Sequence, residues 1–265
     1  MSKKALMIVS FGTSFDEAMP AIVNIEETCR KAFPEYDFYR AFTSGMIIRK
    51  LKRTKNVVID SPEEVMEKLA AQGYEEVLCQ PTHIINGMEY EKMMRMLQPY
   101  KDRIPVIRAG KPLLTEEEDY RKACQIMMEE LKSPLAEDEA FVLMGHGTEH
   151  YANSAYCQFE NMLRDLGYEN TYVGTVEGFP GLDYVMRRMK IRGIRKVHLM
   201  PLMIVAGDHA RNDLAGVEED SWNSLLQAEG FETDIVLKGM GDIDGIAQIF
   251  VEHLEASAWA RATRS

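Results

Sequence analysis

The sequence predicts an α/β fold built as two similar doubly wound lobes with parallel sheets. Two observations carry this prediction. Short apolar runs alternate with helical stretches along the chain, which calls for mainly parallel strands with helices on both faces. The second half also nearly repeats the first. "GYEEVLCQPTHIINGMEY" from Gly73 lies without a gap over "GIRKVHLMPLMIVAGDHA" from Gly193. The two match at Gly73/Gly193, Val77/Val197, Pro81/Pro201, Ile84/Ile204 and Gly87/Gly207. "ALMIVSFGTS" lies over "AFVLMGHGTE", pairing Gly12 with Gly147 and Thr13 with Thr148, and "YRAFTSG" more weakly overlies "YVGTVEG".

In the first lobe the strands are expected near 4–10, 36–42, 76–81 and 104–109. In the second they are expected near 140–145, 171–176, 196–201 and 233–237. "SPEEVMEKLAAQG" reads as a helix with a capping box, Ser61 at the N-cap and Glu64 three residues on, with Pro62 in the first turn and Gly73 closing it. Thr13 and Ser14 are expected to cap the helix after the first strand, leaving its N–H groups for an anion. The acidic, proline-containing "LKSPLAEDE" at 131–139 reads as the linker. The lobes are then 1–133 and 134–256, with a tail at 257–265 and a C-terminal helix crossing back onto the first lobe.

Composition excludes several function classes. A net charge of −11 argues against non-specific nucleic-acid binding, since a phosphate backbone needs a basic face. No apolar stretch reaches the roughly 18 residues a membrane span needs. "MSKKALMIVS" reads as a first strand rather than a secretory signal, which places the chain in the cytoplasm. Cys29, Cys79, Cys124 and Cys157 form no CxxC pair, so free thiols are expected rather than a zinc knuckle.

In open parallel sheets, ligands sit beyond the carboxyl ends of the strands. The repeat shows which strand ends differ between the lobes. His146 overlies Phe11, Glu177 overlies Ser44 and His209 overlies Glu89. Two imidazoles and a carboxylate suit a first-row divalent ion and leave coordination positions open. The glycines flanking His146 permit a sharp turn and a close ligand approach. Of the other histidines, His150 reads as a rim residue, His198 as a core or interlobe residue and His253 as solvated on a terminal helix. The methionines read mostly as core filling, with Met200 and Met203 placed toward a pocket. Arg49, Lys50, Lys52 and Arg53 offer a local positive face to an anionic ligand despite the acidic total.

"RAFTSGMIIRKL", "HIINGMEYEK", "MGHGT" and "HLMPLMIVAGDHARNDLAG" resemble the anaerobic cobalt chelatases, sirohydrochlorin cobaltochelatases of the class II chelatase family, over about residues 3 to 255. The resemblance implies two lobes across a cleft that holds a tetrapyrrole. It implies Co2+ as the substrate metal, bound by His146, Glu177 and His209, with His146 also acting as base and no organic cofactor. On the substrate side the expected residues are Phe11, Gly12, Thr13, Ser14, His83, Glu89 and Phe179. Three alternatives stay open: Fe2+ or Ni2+ insertion, a non-catalytic tetrapyrrole or metal carrier, and self-association of the chain. A histidine phosphatase is disfavoured, because Gly145 stands where that chemistry needs an arginine.

Overall fold

The computed structural model describes residues 2–132 and 135–257. Among these the chain forms two compact units. The first holds a four-stranded parallel sheet of order β2-β1-β3-β4: β1 (Lys4–Ser10), β2 (Asp37–Phe42), β3 (Glu76–Pro81) and β4 (Val106–Ala109). The second repeats that order as β6-β5-β7-β8: β5 (Glu139–Gly147), β6 (Thr171–Glu177), β7 (Lys196–Pro201) and β8 (Glu232–Ile235). All eight lie where the apolar runs predicted them. The inner strands β1 and β5 are almost wholly buried along their length. Continuous apolar runs are what a sheet covered on both faces requires.

The ladder hydrogen bonds reproduce the repeat residue by residue. The Thr82 N–H donates to Val9 O at 2.8 Å, and the Leu202 N–H donates to Met144 O at 2.8 Å. Glu75 N to Lys3 O and Arg195 N to Asp138 O match in the same way, at 2.9 and 2.8 Å. Gly12 and Gly147 both take positive φ, +100° and +82°, where the chain turns off the first strand of each unit.

Helices cover both faces. In the first unit α1 (Met19–Ala32) lies against β1, while α2 (Gly45–Lys55) and α3 (Pro62–Ala71) pack on β2 and α4 (Met88–Leu97) packs on α3. Val65, Met66 and Leu69 of α3 and Met93 and Leu97 of α4 close over Ala5, Met7, Val9, Val77 and Cys79 of the sheet. The capping box at Ser61 and Glu64 forms as predicted, with Ser61 Oγ accepting from Glu64 N and the Glu64 carboxylate from Ser61 N. In the second unit α5 (Glu117–Glu130) packs on α6 (Ser154–Asp165), and α6 and α7 (Leu182–Ile191) pack on β6. α8 (Trp222–Ala228) packs on β8.

Two helices are exchanged between the units. α5 follows β4 yet belongs to the second unit, and α9 (Asp244–Glu255) follows β8 yet packs on α1 and β3 in the first. The crossing of the C-terminal helix follows the sequence prediction. The division itself falls between Thr115 and Glu116, whereas the composition at 131–139 had suggested a linker after α5. α5 buries Tyr120, Ala123, Cys124, Met127 and Met128, and Cys124 Sγ lies 3.7 Å from Phe159 O of α6. Residues 133 and 134 of the expected linker, and 258–265 of the expected tail, lie outside the described residues.

Three local expectations are corrected. Thr13 and Ser14 do not cap a helix. Thr13 Oγ1 accepts from Phe15 N at 3.2 Å, and a short 3-10 turn (Asp16–Ala18) intervenes before α1. His253 is buried rather than solvated, its Nδ1 donating to Lys111 O at 3.1 Å, because α9 docks on the first unit. Met200 is wholly buried in the sheet rather than turned to a pocket. Among the described residues no helix is long and apolar enough to cross a membrane.

Candidate functional site

The carboxyl ends of β5, β6 and β7 carry the three residues the repeat singled out. His146 is the penultimate residue of β5, and Glu177 is the last residue of β6, paired in register with Gly147. His209 precedes a π-helical turn (Ala210–Leu214) that follows β7.

The two imidazoles meet. His146 Nε2 lies 3.1 Å from His209 Nε2, with the rings nearly perpendicular. What each ring does at its other nitrogen decides the chemistry. His146 Nδ1 is 2.9 Å from the Gly147 carbonyl, and His209 Nδ1 is 2.5 Å from Asp213 Oδ2. A carbonyl and a carboxylate only accept, so both Nδ1 atoms carry the proton. In the neutral rings both Nε2 atoms then present lone pairs to each other. Two lone pairs at that separation repel unless a positive charge lies between them. With metal–nitrogen bonds of about 2.1 Å, 3.1 Å between donors corresponds to a cis angle of about 95°. The pair therefore has the span of two adjacent positions on one first-row cation.

Asp213 stands four residues after His209, a spacing at which side chains on a helical turn meet. The sequence reading missed Asp213. The His-x-x-x-Asp spacing in "HARND" is the only signal it leaves, and on an ordinary helix that spacing is a common solvated pair.

Gly147 has a demanding position. Besides its φ of +82°, a Cβ there would lie 1.6 Å from the Glu177 carbonyl oxygen. The strand ends bearing His146 and Glu177 approach this closely only because residue 147 has no side chain. The Glu177 side chain is exposed, and among the described residues no group of three His, Cys, Asp or Glu side chains is closed up as a cation cage.

The remaining expected residues fall as follows. Phe11 follows β1 and is exposed; Gly12 and Thr13 are buried and Ser14 is half-buried. Phe179 follows β6 and is exposed, stacked on Tyr184 with centroids 4.9 Å apart. Glu89 lies in the first turn of α4, 3.5 Å from Lys92 Nζ, which itself donates to Thr43 O. His83 follows β3 with both ring nitrogens buried and without a protein hydrogen-bond partner. Burial pushes its pKa down to about 4, against a weaker upward pull from Glu89. His150 turns its Nδ1 to accept from Ala152 N at 3.2 Å. His198 lies between Asp234 Oδ2 at 3.2 Å and Glu139 Oε2 at 3.6 Å, far along β7 from its carboxyl end.

Large apolar side chains also stand exposed after the first three strands of each sheet. They are Phe11, Met46 and Met88 in the first unit and Tyr151, Phe179 and Val217 in the second. Each unit thus exposes apolar groups at the carboxyl end of its own sheet, where open parallel sheets bind ligands.

Residues 4–258 match the model of the cobalt chelatase (CbiK) family. The chain belongs to that family. Its relatives include the sirohydrochlorin cobaltochelatase of Salmonella typhimurium, 42% identical over 95% of each chain. The sirohydrochlorin cobaltochelatase CbiKC of Nitratidesulfovibrio vulgaris is 31% identical over 98% of this chain and 92% of its own. The CbiK fold is shared with more distant solved structures. SirB of Bacillus subtilis superposes with a TM-score of 0.65 at 15% identity, covering 96% of this chain and 94% of that one. CbiX, described as the terminal enzyme of siroheme biosynthesis in denitrifying bacteria, gives 0.60 at 16% identity, over 97% and 100% of the two chains.

Proposed function

We propose that this protein inserts Co2+ into sirohydrochlorin, a lyase reaction that forms metal–nitrogen bonds in anaerobic cobalamin biosynthesis. The observation that carries the reading is the 3.1 Å approach of His146 Nε2 and His209 Nε2, each with its other nitrogen held by an acceptor. Membership of the cobalt chelatase family and the two sirohydrochlorin cobaltochelatase relatives support the substrate and the metal.

In this reading the incoming ion sits cis on the two imidazoles, with Glu177 as a third ligand reached by turning its exposed side chain. Two neutral nitrogens and one carboxylate hold a divalent ion less tightly than thiolates would, so it can be passed on. Metal insertion requires loss of two pyrrole N–H protons. As the ion passes to the macrocycle, the Nε2 lone pairs of His146 and His209 are released and would each take one of these protons, so His146 serves first as ligand and then as base. Asp213 and the Gly147 carbonyl stabilise the imidazolium that results on each ring. On the substrate side, the first unit offers Phe11, Gly12, Thr13, Ser14, His83 and Glu89 with the basic residues of α2, and the second unit offers the exposed ring of Phe179. The reading needs no organic cofactor and places the reaction in the cytoplasm.

Formation of metallated sirohydrochlorin, followed spectrally under anaerobic conditions with enzyme far below substrate, tests the proposal. Co2+, Fe2+ and Ni2+ are compared against their spontaneous rates. Multiple turnovers with Co2+ that vanish in His146→Ala and His209→Ala are expected. Near-normal turnover in both variants contradicts the assignment, and stoichiometric binding without turnover makes the protein a carrier.

A further inference from the structure

The first turn of α6 is built differently from its counterpart in the first unit, at the residues that touch the strand end bearing His146. The repeat makes the comparison direct. The 3-10 turn Asp16–Ala18 leading into α1 overlies the 3-10 turn Tyr151–Asn153 leading into α6, at the same offset that relates Gly12 to Gly147. Three positions change together. Ser10, Ala18 and Ala21 in the first unit stand as Gly145, Asn153 and Tyr156 in the second.

These three residues touch one another's surroundings. The Asn153 side chain joins two loops: its Oδ1 accepts from Thr148 N at 3.0 Å, and its Nδ2 donates to Phe179 O at 2.6 Å. One amide thus ties the segment after β5 to the segment after β6. Three residues on, and so on the same face of the helix turn, Tyr156 is buried against β5. A Cβ at position 145 would fall 2.3 Å from its ring, so the glycine before His146 is what admits the phenol. The phenol ring thereby lies against the strand end at Gly145, where β5 has run past the last ladder partner on β7. In the first unit, Ser10 instead bonds Thr82 Oγ1 at 2.9 Å, and alanines at 18 and 21 reach neither loop.

We infer that Asn153 and Tyr156 are positioning residues for metal insertion: together they fix the backbone at His146 and at Phe179, so that the imidazole meets His209 at one point. The clamp occurs only in the unit that carries the imidazoles. The first unit folds the same sheet without these parts. Side chains used at a reacting centre must be held to within a fraction of an ångström by the groups behind them. This inference rests on the proposed use of His146 as a ligand.

The test titrates each variant with Co2+ alone, following the cobalt absorption bands, and then measures turnover with sirohydrochlorin. Tyr156→Ala removes the ring beneath Gly145; Asn153→Ala removes the bridge between the loops. Thermal midpoints are measured on the same samples. Both variants are expected to bind cobalt about tenfold more weakly and to lose about tenfold in kcat, with Asn153→Ala melting near the parent and carrying the test by itself where Tyr156→Ala melts early. Parental cobalt affinity and kcat in Asn153→Ala overturn the inference. His146→Ala, run alongside, separates the two levels: if it too binds cobalt like the parent, the ligand assignment fails, whereas loss there with parental Asn153→Ala removes only the clamp.

Discussion

His209 Nδ1 and Asp213 Oδ2 lie 2.5 Å apart across a π-helical turn. This contact fixes which nitrogen of His209 is bare and which way its ring faces. Asp213→Ala is therefore expected to raise the KM for Co2+ by about 10- to 100-fold, the usual cost of losing a carboxylate behind a ligating histidine. Asp213→Asn, which keeps an acceptor for Nδ1–H, is expected to fall between. Initial rates across a cobalt series decide it; an unchanged KM in the alanine variant shows that the ring orients without Asp213.

Gly147 and Gly73 both have positive φ, +82° and +73°, but their surroundings differ. Nothing lies within 4 Å of a Cβ at Gly73, so Gly73→Ala meets only the left-handed backbone penalty, about 1–2 kcal/mol. At Gly147 the Glu177 carbonyl blocks the Cβ as well. Gly147→Ala is expected to cost more, by about 1–3 kcal/mol of added strain. Denaturant unfolding of the two variants side by side measures the gap, and equal losses contradict the close approach.

Acid sensitivity is expected to involve His83. Burial holds its folded pKa near 4, below the ordinary 6.5 that the unfolded chain shows. Between these values the unfolded state binds more protons, so stability rises with pH there and falls as pH drops from about 6.5 to about 4. His83→Phe, apolar and of similar reach, is expected to flatten the unfolding free energy across that window. An unaltered slope in the variant shows that other groups dominate.

The buried pair Glu26–Arg40 and the exposed pair Glu67–Arg103 give a further contrast. The Glu26 carboxylate is 3% exposed and takes both Arg40 Nε and Nη2. Glu26→Ala leaves Arg40 half-buried without its partner and is expected to cost about 3–5 kcal/mol. Glu67→Ala, at the surface, is expected to leave stability close to the parent's. Unfolding midpoints measure both, and a similar small loss for the two contradicts the burial argument.

Much of this architecture was legible in the chain. Parallel strands covered on both faces are largely apolar, so the inner strands β1, β3, β5 and β7 stand out as runs, and the duplicated register exposed His146, Glu177 and His209 as the odd residues of the second unit. What escaped had physical causes. The exchange of α5 leaves no local mark, because an apolar stripe shows that a helix packs and not which helix it packs against. Asp213 lies four residues after His209, a spacing shared by many solvated pairs, so it carried no signal of its own. Thr13 and Ser14 carry capping side chains, but the 3-10 turn after them moved the helix start beyond their reach. The change from Ser10, Ala18 and Ala21 to Gly145, Asn153 and Tyr156 was present in the repeat all along; it acquires meaning only when the side chains are seen to meet.

The central claim is that His146 and His209 share one cation. The most direct measurement is the position of cobalt in crystals of the protein soaked with Co2+, located by its anomalous scattering. The account predicts one principal peak about 2.0–2.2 Å from both Nε2 atoms. A principal cobalt peak elsewhere, with the two imidazoles still facing each other unoccupied, contradicts it.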